Sequence, residues 1–285
     1  MELKRFATQI RLESILSMGA CGSGHVGGVL SAADLVAVLY GLEACYDPKD
    51  PHKEERDRIV LSKGHCGPVL YAALALKGFF PKELLSTLNQ NGTTLPSHCN
   101  MHDTPGIDMS TGSLGQGASL AAGMALGMRM KGLQDRYTYL ILGDGECDEG
   151  QVWEMALFAA QQKQDNLIAF VDLNHQQLDG YTDDICGLGD LRQKFQDFGW
   201  WAVQIDGHDV EAIHQAIQDA KTHKGVPSVI VLDTVKGKGW SVTEGKPGVH
   251  HIPISKEQME QARQELGAQI AILEEQLEGG ELDGI

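Results

Sequence analysis

The sequence predicts an α/β protein with a doubly wound, mostly parallel sheet and helices on both faces. Three observations carry this. From residue 137 onward, apolar runs and helical segments alternate as β-α-β-α-β-α-β. The runs are continuously apolar instead of alternating, the pattern of strands covered on both faces. The 285 residues, 42% hydrophobic and 22% charged, have the composition of one globular domain, expected to span 1–285. No internal repeat or linker interrupts it.

The elements follow in order. Leu3, Phe6, Ile10 and Ile15 recur at near-helical spacing in residues 3–18, with a glycine stop at Gly19. The loop CGSGHVGG comes next, and Ser31 is the expected N-cap of a helix SAADLVAVLYGL. The charged stretch DPKDPHKEERD leads into RIVLSKGH, a short strand running into a loop. Pro81 suits the first turn of a helix PKELLSTL. GQGASLAAGMALGMRMKGL reads as a helix whose small residues let neighbouring backbones approach. YTYLIL, LIAFVDLN, WWAVQID and PSVIVLDTV then read as strands, separated by the helices QVWEMALFAAQQK, LRQKFQDF and DVEAIHQAIQDAKTH. A helix at about 255–278 precedes an acidic, glycine-containing tail expected to fray.

Charge narrows the function. Lys and Arg number 23 against 39 Asp and Glu, a formal net charge of −16, which repels nucleic acid and anionic lipid. An anionic ligand therefore needs a local site built from backbone N–H groups, a helix N-terminus, a metal ion or a few aimed cations. No apolar run approaches the roughly 20 residues that span a bilayer. The six cysteines form no C-x-x-C pair and the N-terminus does not resemble a signal peptide, so a reduced, cytoplasmic setting is expected.

The chemistry concentrates at Gly143-Asp144-Gly145, where the strand YLIL ends, followed by Glu146 and by Glu149-Gly150 before a helix. Taken alone, that triplet also describes a strand-to-helix turn with a capping aspartate. Asn174 changes the reading. It lies 30 residues after Asp144, at the end of the next strand, which is the length of one βαβ unit. Such a unit brings consecutive strand ends together above the sheet edge, where ligands bind. A carboxylate, an amide oxygen and a backbone carbonyl at Gln176 make part of a hard oxygen shell, which suits Mg²⁺ with phosphate oxygens completing it. Zinc is disfavoured, because His98, Cys99 and His102 crowd into five residues and match no usual zinc spacing.

The segment GDGECDEGQVWEMALFAAQQKQDNLIAFVDLN resembles the signature of thiamine diphosphate enzymes. The resemblance sharpens to transketolases through GSGHVGG at 22–28, LSKGH at 61–65, PSH at 96–98, TGSLGQG at 111–117, DLNHQQLDG at 172–180 and IDGHD at 205–209. The chain is similar to the N-terminal, diphosphate-binding domain, and in particular to the small subunit of split transketolases.

The resemblance implies a thiamine diphosphate-binding fold and a set of roles. Asp144, Asn174 and the Gln176 carbonyl would hold Mg²⁺ or Ca²⁺. Gly145 and His65 would touch the diphosphate, with Gly143 and Glu146, on either side of Asp144-Gly145, also bordering the cofactor. Leu178 would pack on the thiazolium, with Gly112, Ser113 and Leu114 along the aminopyrimidine side. Glu149 matches an acidic residue that links paired active sites. His25 and His98 would face the donor ketose, with His65 and His250 as further catalytic imidazoles. The family usually has His-Gly where this chain has His250-His251, which leaves open which ring enters the site. Val26 stands where many relatives have proline. His175 and His208 are expected to make structural hydrogen bonds.

In the family, the glutamate that activates the cofactor lies on a second, pyrimidine-binding domain. The resemblance therefore implies a partner subunit carrying the pyrimidine-binding and C-terminal domains, assembled into a heterotetramer and bringing the cations that hold sugar phosphates. The expected activity is transfer of a two-carbon ketol unit from a ketose phosphate to an aldose. An α-type subunit of a 2-oxo acid dehydrogenase shares the GDG-to-Asn site but does not call for GSGH, LSKGH and TGSLGQG in this order. A non-catalytic homologue that only binds cofactor is disfavoured by the intact His25, His65, His98, Asp144 and Asn174.

Overall fold

The computed structural model describes residues 1–282. Its centre is a five-stranded parallel sheet of β2 (Arg58–Leu61), β3 (Thr138–Gly143), β4 (Leu167–Leu173), β5 (Trp201–Asp206) and β6 (Ser228–Asp233), in the order β2-β3-β4-β6-β5. Successive side chains of each strand point to opposite faces and enter two different cores. Ile59, Tyr139, Ile141, Phe170 and Ile230 pack on one face with α1 (Glu2–Cys21), α3 (Ala33–Val38), α4 (Gly67–Leu76) and α9 (Val210–Thr222). Val60, Leu140, Leu142, Ala169 and Val231 pack on the other with α5 (Gln116–Met130), α6 (Gly150–Gln161) and α8 (Leu191–Asp197). β3 is buried along its whole length, whereas β5, at the sheet edge, alternates between buried and accessible positions.

Two short strands lie apart from this sheet. β1 (Ser23–Gly24) pairs antiparallel with β7 (Ile252–Pro253), tying the GSGH loop to the segment after His250. α2 (Val26–Ser31) follows β1, α7 (Thr182–Cys186) follows the Asn174 loop, and α10 (Lys256–Leu282) packs against α1. Ser255 opens α10 with a reciprocal cap. Its hydroxyl accepts from Gln258 N–H at 3.2 Å, and its own N–H donates to Gln258 Oε1 at 2.8 Å.

Several expected boundaries are corrected. α1 runs past Gly19 to Cys21, and Gly22, left-handed at φ 92°, ends it. Ser31 is no N-cap: the helix has already begun at Val26, and the buried Ser31 hydroxyl donates to Asp172 Oδ2 at 2.5 Å. Pro81 precedes its helix, which is a 3₁₀ segment from Lys82 to Thr87. The closing helix extends through Leu282 instead of ending near 278.

Candidate active site

Four neighbouring strands end at one crevice. β2 runs into Ser62-Lys63-Gly64-His65, β3 into Asp144-Gly145, β4 into Asn174-His175-Gln176 and β6 into Thr234-Val235-Lys236. Gly143 pairs with Asp172, and Leu173 with Asp233, so the register carries Asp144, Asn174 and Thr234 to the same end of the sheet. Above them opens a cleft of about 290 Å³ bordered by the Gly143–Glu146 turn, Gln176, Leu178, Lys63, Lys236, Gly112, Leu114 and four imidazoles: His25, His65, His98 and His250.

The oxygen groups expected to bind metal are assembled here. Asp144 accepts from Gly145 N–H at 2.8 Å through Oδ1 and from His175 N–H at 2.6 Å through Oδ2. His175 holds that geometry with a left-handed backbone, φ 63°. Asn174, buried beneath the cleft, donates through Nδ2 to Asp172 Oδ2 at 3.2 Å, which leaves Oδ1 to accept from Gln176 N–H at 3.3 Å. Burial, followed by the nearby Asp172 charge, pushes the Asp144 carboxyl up to about 6. A dication would relieve that excess of negative charge. Among the described residues no group of three His, Cys, Asp or Glu side chains is poised for a metal. The donor set is instead one carboxylate, one amide and one carbonyl, which leaves coordination positions for phosphate oxygens and water, as Mg²⁺ prefers. The residues present thus fit a divalent ion bound together with a diphosphate.

Two of the aimed cations that a local anion site needs are built into this chain. Lys63 and Asp172 are paired out of water, with side chains 3% and 1% exposed. Lys63 Nζ also donates to Gly28 O at 3.1 Å, while Asp172 accepts from Ser31, Thr234 and Asn174. Burial alone would raise the Asp172 carboxyl, but the ammonium of Lys63 outweighs it and holds Asp172 below its ordinary value. Lys236 differs in having only uncharged acceptors: Gln176 O at 2.7 Å, Gln177 O at 3.4 Å and His250 Nδ1 at 3.4 Å. It is buried, and its pKa is lowered mainly for that reason. An unpaired buried ammonium beside the oxygen set favours an anion in the cleft. The sequence does carry a signal for both, a lysine shortly after an apolar strand at Lys63 and at Lys236, but one that the strongly negative net charge masks.

Glu146 borders the cleft yet spends its carboxylate on the protein. Oε1 accepts from Gly115 N–H at 2.8 Å and from the Ser62 hydroxyl, and Oε2 accepts from Gly143 N–H at 3.0 Å. It therefore ties the TGSLGQG loop to the ends of β2 and β3. Glycines keep the walls close. A Cβ on Gly145 would stand 2.8 Å from Gln177 Cβ, and one on Gly112 would stand 3.1 Å from His98 Cδ2. Leu178 is 65% exposed at the cleft mouth, an apolar side chain available to a ring bound there.

The imidazoles form one cluster. The His25 ring lies 5.0 Å from His65, 6.1 Å from His98, 5.3 Å from His250 and 4.7 Å from His251, centroid to centroid. Burial, then the neighbouring His251 and His98, lowers His25 to about 4; burial, then Lys236, lowers His250 to about 4. His65 is lowered further by burial and Lys63. At pH 7 these three rings are neutral, each with one donor and one acceptor nitrogen, which suits hydroxyl binding and proton transfer. His250 is the ring that borders the cleft, while His251 stands exposed at its rim.

Ser113 and Glu149 are not drawn into the cleft. Ser113 is exposed and outside its lining, and Glu149 is exposed at the N-terminus of α6. His208 is structural: Nδ1 lies 2.7 Å from Asp34 Oδ2, and Nε2 accepts from Val235 N–H at 2.8 Å. His175 Nε2 lies 3.0 Å from Asp233 Oδ1.

Comparison with known proteins agrees with this geometry. Residues 3–275 match the family described as transketolase, thiamine diphosphate binding domain, and the chain belongs to the transketolase family as its thiamine diphosphate-binding part. Within that family it aligns with members that are separate subunits, along nearly their whole length. It is 52% identical over 266 residues to the 6-deoxy-6-sulfo-D-fructose transketolase subunit SqwG of Clostridium sp. (strain MSTE9), covering 93% of this chain and 96% of that one. It is 37% identical over 257 residues to an apulose-4-phosphate transketolase subunit of Phocaeicola vulgatus, covering 90% and 91%. Human transketolase is 39% identical over 271 residues, but only 42% of its length is covered. A crystal structure of a Pichia stipitis transketolase variant superposes with a TM-score of 0.89 at 32% identity, over 94% of this chain and 41% of that one.

Proposed function

We propose that this chain is the N-terminal subunit of a two-chain transketolase that moves a two-carbon ketol unit from a ketose phosphate to an aldose. The observation that carries this is an imidazole cluster facing an oxygen donor set and an unpaired lysine across one cleft. When bound, thiamine diphosphate supplies the carbon nucleophile and the electron sink for breaking the C–C bond. Asp144, Asn174 Oδ1 and the Gln176 carbonyl hold Mg²⁺, or Ca²⁺ with the same oxygen chemistry. Gly145, His65 and Lys236 hold the diphosphate. Leu178 packs on the thiazolium, and Gly112 and Leu114 line the aminopyrimidine side. His25 and His98 bind the hydroxyls of the donor ketose, and the cluster they share with His65 and His250 holds or passes the proton released as the C–C bond breaks.

The relatives named as subunits match this chain nearly end to end, which supports a separate partner carrying the pyrimidine-binding and C-terminal domains. We take residues 1–285 as one domain, the assembly as a heterotetramer in the cytoplasm with Glu149 linking paired sites, and the pathway as sugar-phosphate metabolism of the pentose phosphate type. No helix among the described residues is long and apolar enough to cross a membrane. A specific second reading concerns the donor: the 52% identity to a sulfofructose transketolase subunit favours a sulfonated ketose over a phosphorylated one.

The test is reconstitution. The chain, mixed with the product of a candidate partner gene, thiamine diphosphate and Mg²⁺, should transfer ketol units from 6-deoxy-6-sulfo-D-fructose or fructose 6-phosphate, and neither polypeptide should do so alone. Full activity of this chain by itself would overturn the two-chain reading.

A further inference from the structure

The clasp between β1 and β7 has a consequence for the substrate side of the cleft. Its register pairs Ser23 with Pro253 and Gly24 with Ile252. Ile254 N–H donates to Gly22 O at 2.9 Å in the same register, which places His25 opposite His251 as the next pair. Beyond that pair, Gly27 N–H donates to Val249 O at 3.0 Å and holds the two segments together on the other side. Directly opposed residues of an antiparallel pair bring their side chains into contact. The two rings accordingly sit 4.7 Å apart at 73°, the shortest of the ring contacts His25 makes with the other imidazoles.

His251 is exposed where His250 is half-buried, so the doublet presents one ring to the cleft and one to its rim. A cofactor held by Asp144, Lys236 and Leu178 would occupy the cleft, and a sugar reacting with it would approach across that rim. The imidazoles it meets there are His25, His98 and His251.

We propose that His251 belongs to the donor-sugar site, where its ring packs on His25 and gives a hydrogen bond to a hydroxyl beyond the two-carbon unit that is transferred. The proposal rests on the ketol-transfer reading above. It differs in kind from the roles of His25 and His250, because His251 touches the part of the donor that leaves as the aldose product. A donor that lacks those hydroxyls should not sense it.

The experiment compares H251A, H251N and the unmodified chain, each assembled with its partner subunit, thiamine diphosphate and Mg²⁺, with H25A as a reference. Two donors are used: a ketose (6-deoxy-6-sulfo-D-fructose or fructose 6-phosphate, whichever the unmodified enzyme accepts) and hydroxypyruvate, which carries the ketol unit but no further hydroxyls. Loss of one hydrogen bond predicts a fall in kcat/KM for the ketose of about tenfold in H251A, mostly through KM, with hydroxypyruvate changed less than about twofold. H251N, which keeps a short donor, should recover part of the loss. Equal loss on both donors would assign His251 a structural role and overturn the proposal, as would unchanged ketose kinetics. Should H25A also leave ketol transfer intact, the assignment of the whole histidine wall fails with it. If H25A is impaired while H251A is silent, the proposal for His251 alone fails.

Discussion

Replacing Lys63 by methionine removes a charge but keeps most of the side chain's length, so it isolates the worth of one buried ammonium. Lys63 and Asp172 are almost wholly withdrawn from water. Taking away one partner of such a pair leaves the other buried and uncompensated, at a cost of about 3–5 kcal/mol. The structure places K63M at the lower end of that range, because Asp172 keeps three neutral donors: the Ser31 hydroxyl, the Thr234 hydroxyl and Asn174 Nδ2. Asp172→Asn should cost a similar amount, because Lys63 would then keep one direct neutral acceptor, the Gly28 carbonyl at 3.1 Å, with the Asp144 carboxylate acting on it from farther away. Urea unfolding followed by far-UV circular dichroism measures both, and the double variant K63M/D172N should be less destabilised than the sum of the two. A destabilisation by K63M below about 1 kcal/mol, or additive effects in the double variant, would refute the claim that this pair holds the crevice floor together.

Three further outcomes are expected. Lys236→Met should weaken thiamine diphosphate binding about tenfold or more, read by titration calorimetry, with little change in the unfolding midpoint of the unliganded chain, since Lys236 pairs with no carboxylate there. Asp144→Asn should abolish the gain in melting temperature that Mg²⁺ and thiamine diphosphate together confer on the unmodified chain, and chelation with EDTA should mimic it. In Asp34, burial alone would raise the carboxyl, but Arg11 and His208 outweigh it and hold its pKa below the ordinary value. Its contribution is therefore present above about pH 4 and lost as pH falls through the lower folded-state value, so Asp34→Asn should flatten the acid limb of the stability profile while lowering stability at neutral pH.

The sheet was legible because β3, β4 and β6 are buried on both faces, and such strands must be apolar at nearly every position. β5 escaped that rule as an edge strand with an alternating pattern, but its aromatic and β-branched residues still marked it. Boundaries failed where tertiary packing decided them. Val26–Ser31 is helical although it contains two adjacent glycines, because its whole length is buried, and Ser31 inside it has the residue type of a cap without the position of one. The β1–β7 clasp was illegible for a different reason: two-residue strands carry no period, and their partners lie at opposite ends of the chain. Much of the site could be read from motifs, since Asp144, Asn174 and the four cleft histidines each follow or end a short loop or strand signature. The buried hub at Asp172 could not, because an aspartate inside a strand becomes informative only when Lys63, Ser31 and Thr234 converge on it from three other elements.

On the proposed reading, the charge around the crevice favours a metal ion and a diphosphate bound together in one site. Lys63 and Lys236 are opposed by Asp144, Asp172 and Glu146, and the neighbouring His25, His65 and His250 are neutral at pH 7, so the floor carries about one net negative charge. A diphosphate alone would be repelled by that floor and by the −16 of the whole chain. A dication on Asp144 would invert the local sign, keep the Asp144 carboxyl fully ionised, and leave Lys236 and the Gly145 N–H near the phosphate oxygens. An acidic protein can thus hold an anionic cofactor without a basic surface. The sign change is confined to a few ångströms at the ends of β3, β4 and β6, where low dielectric makes each charge count most.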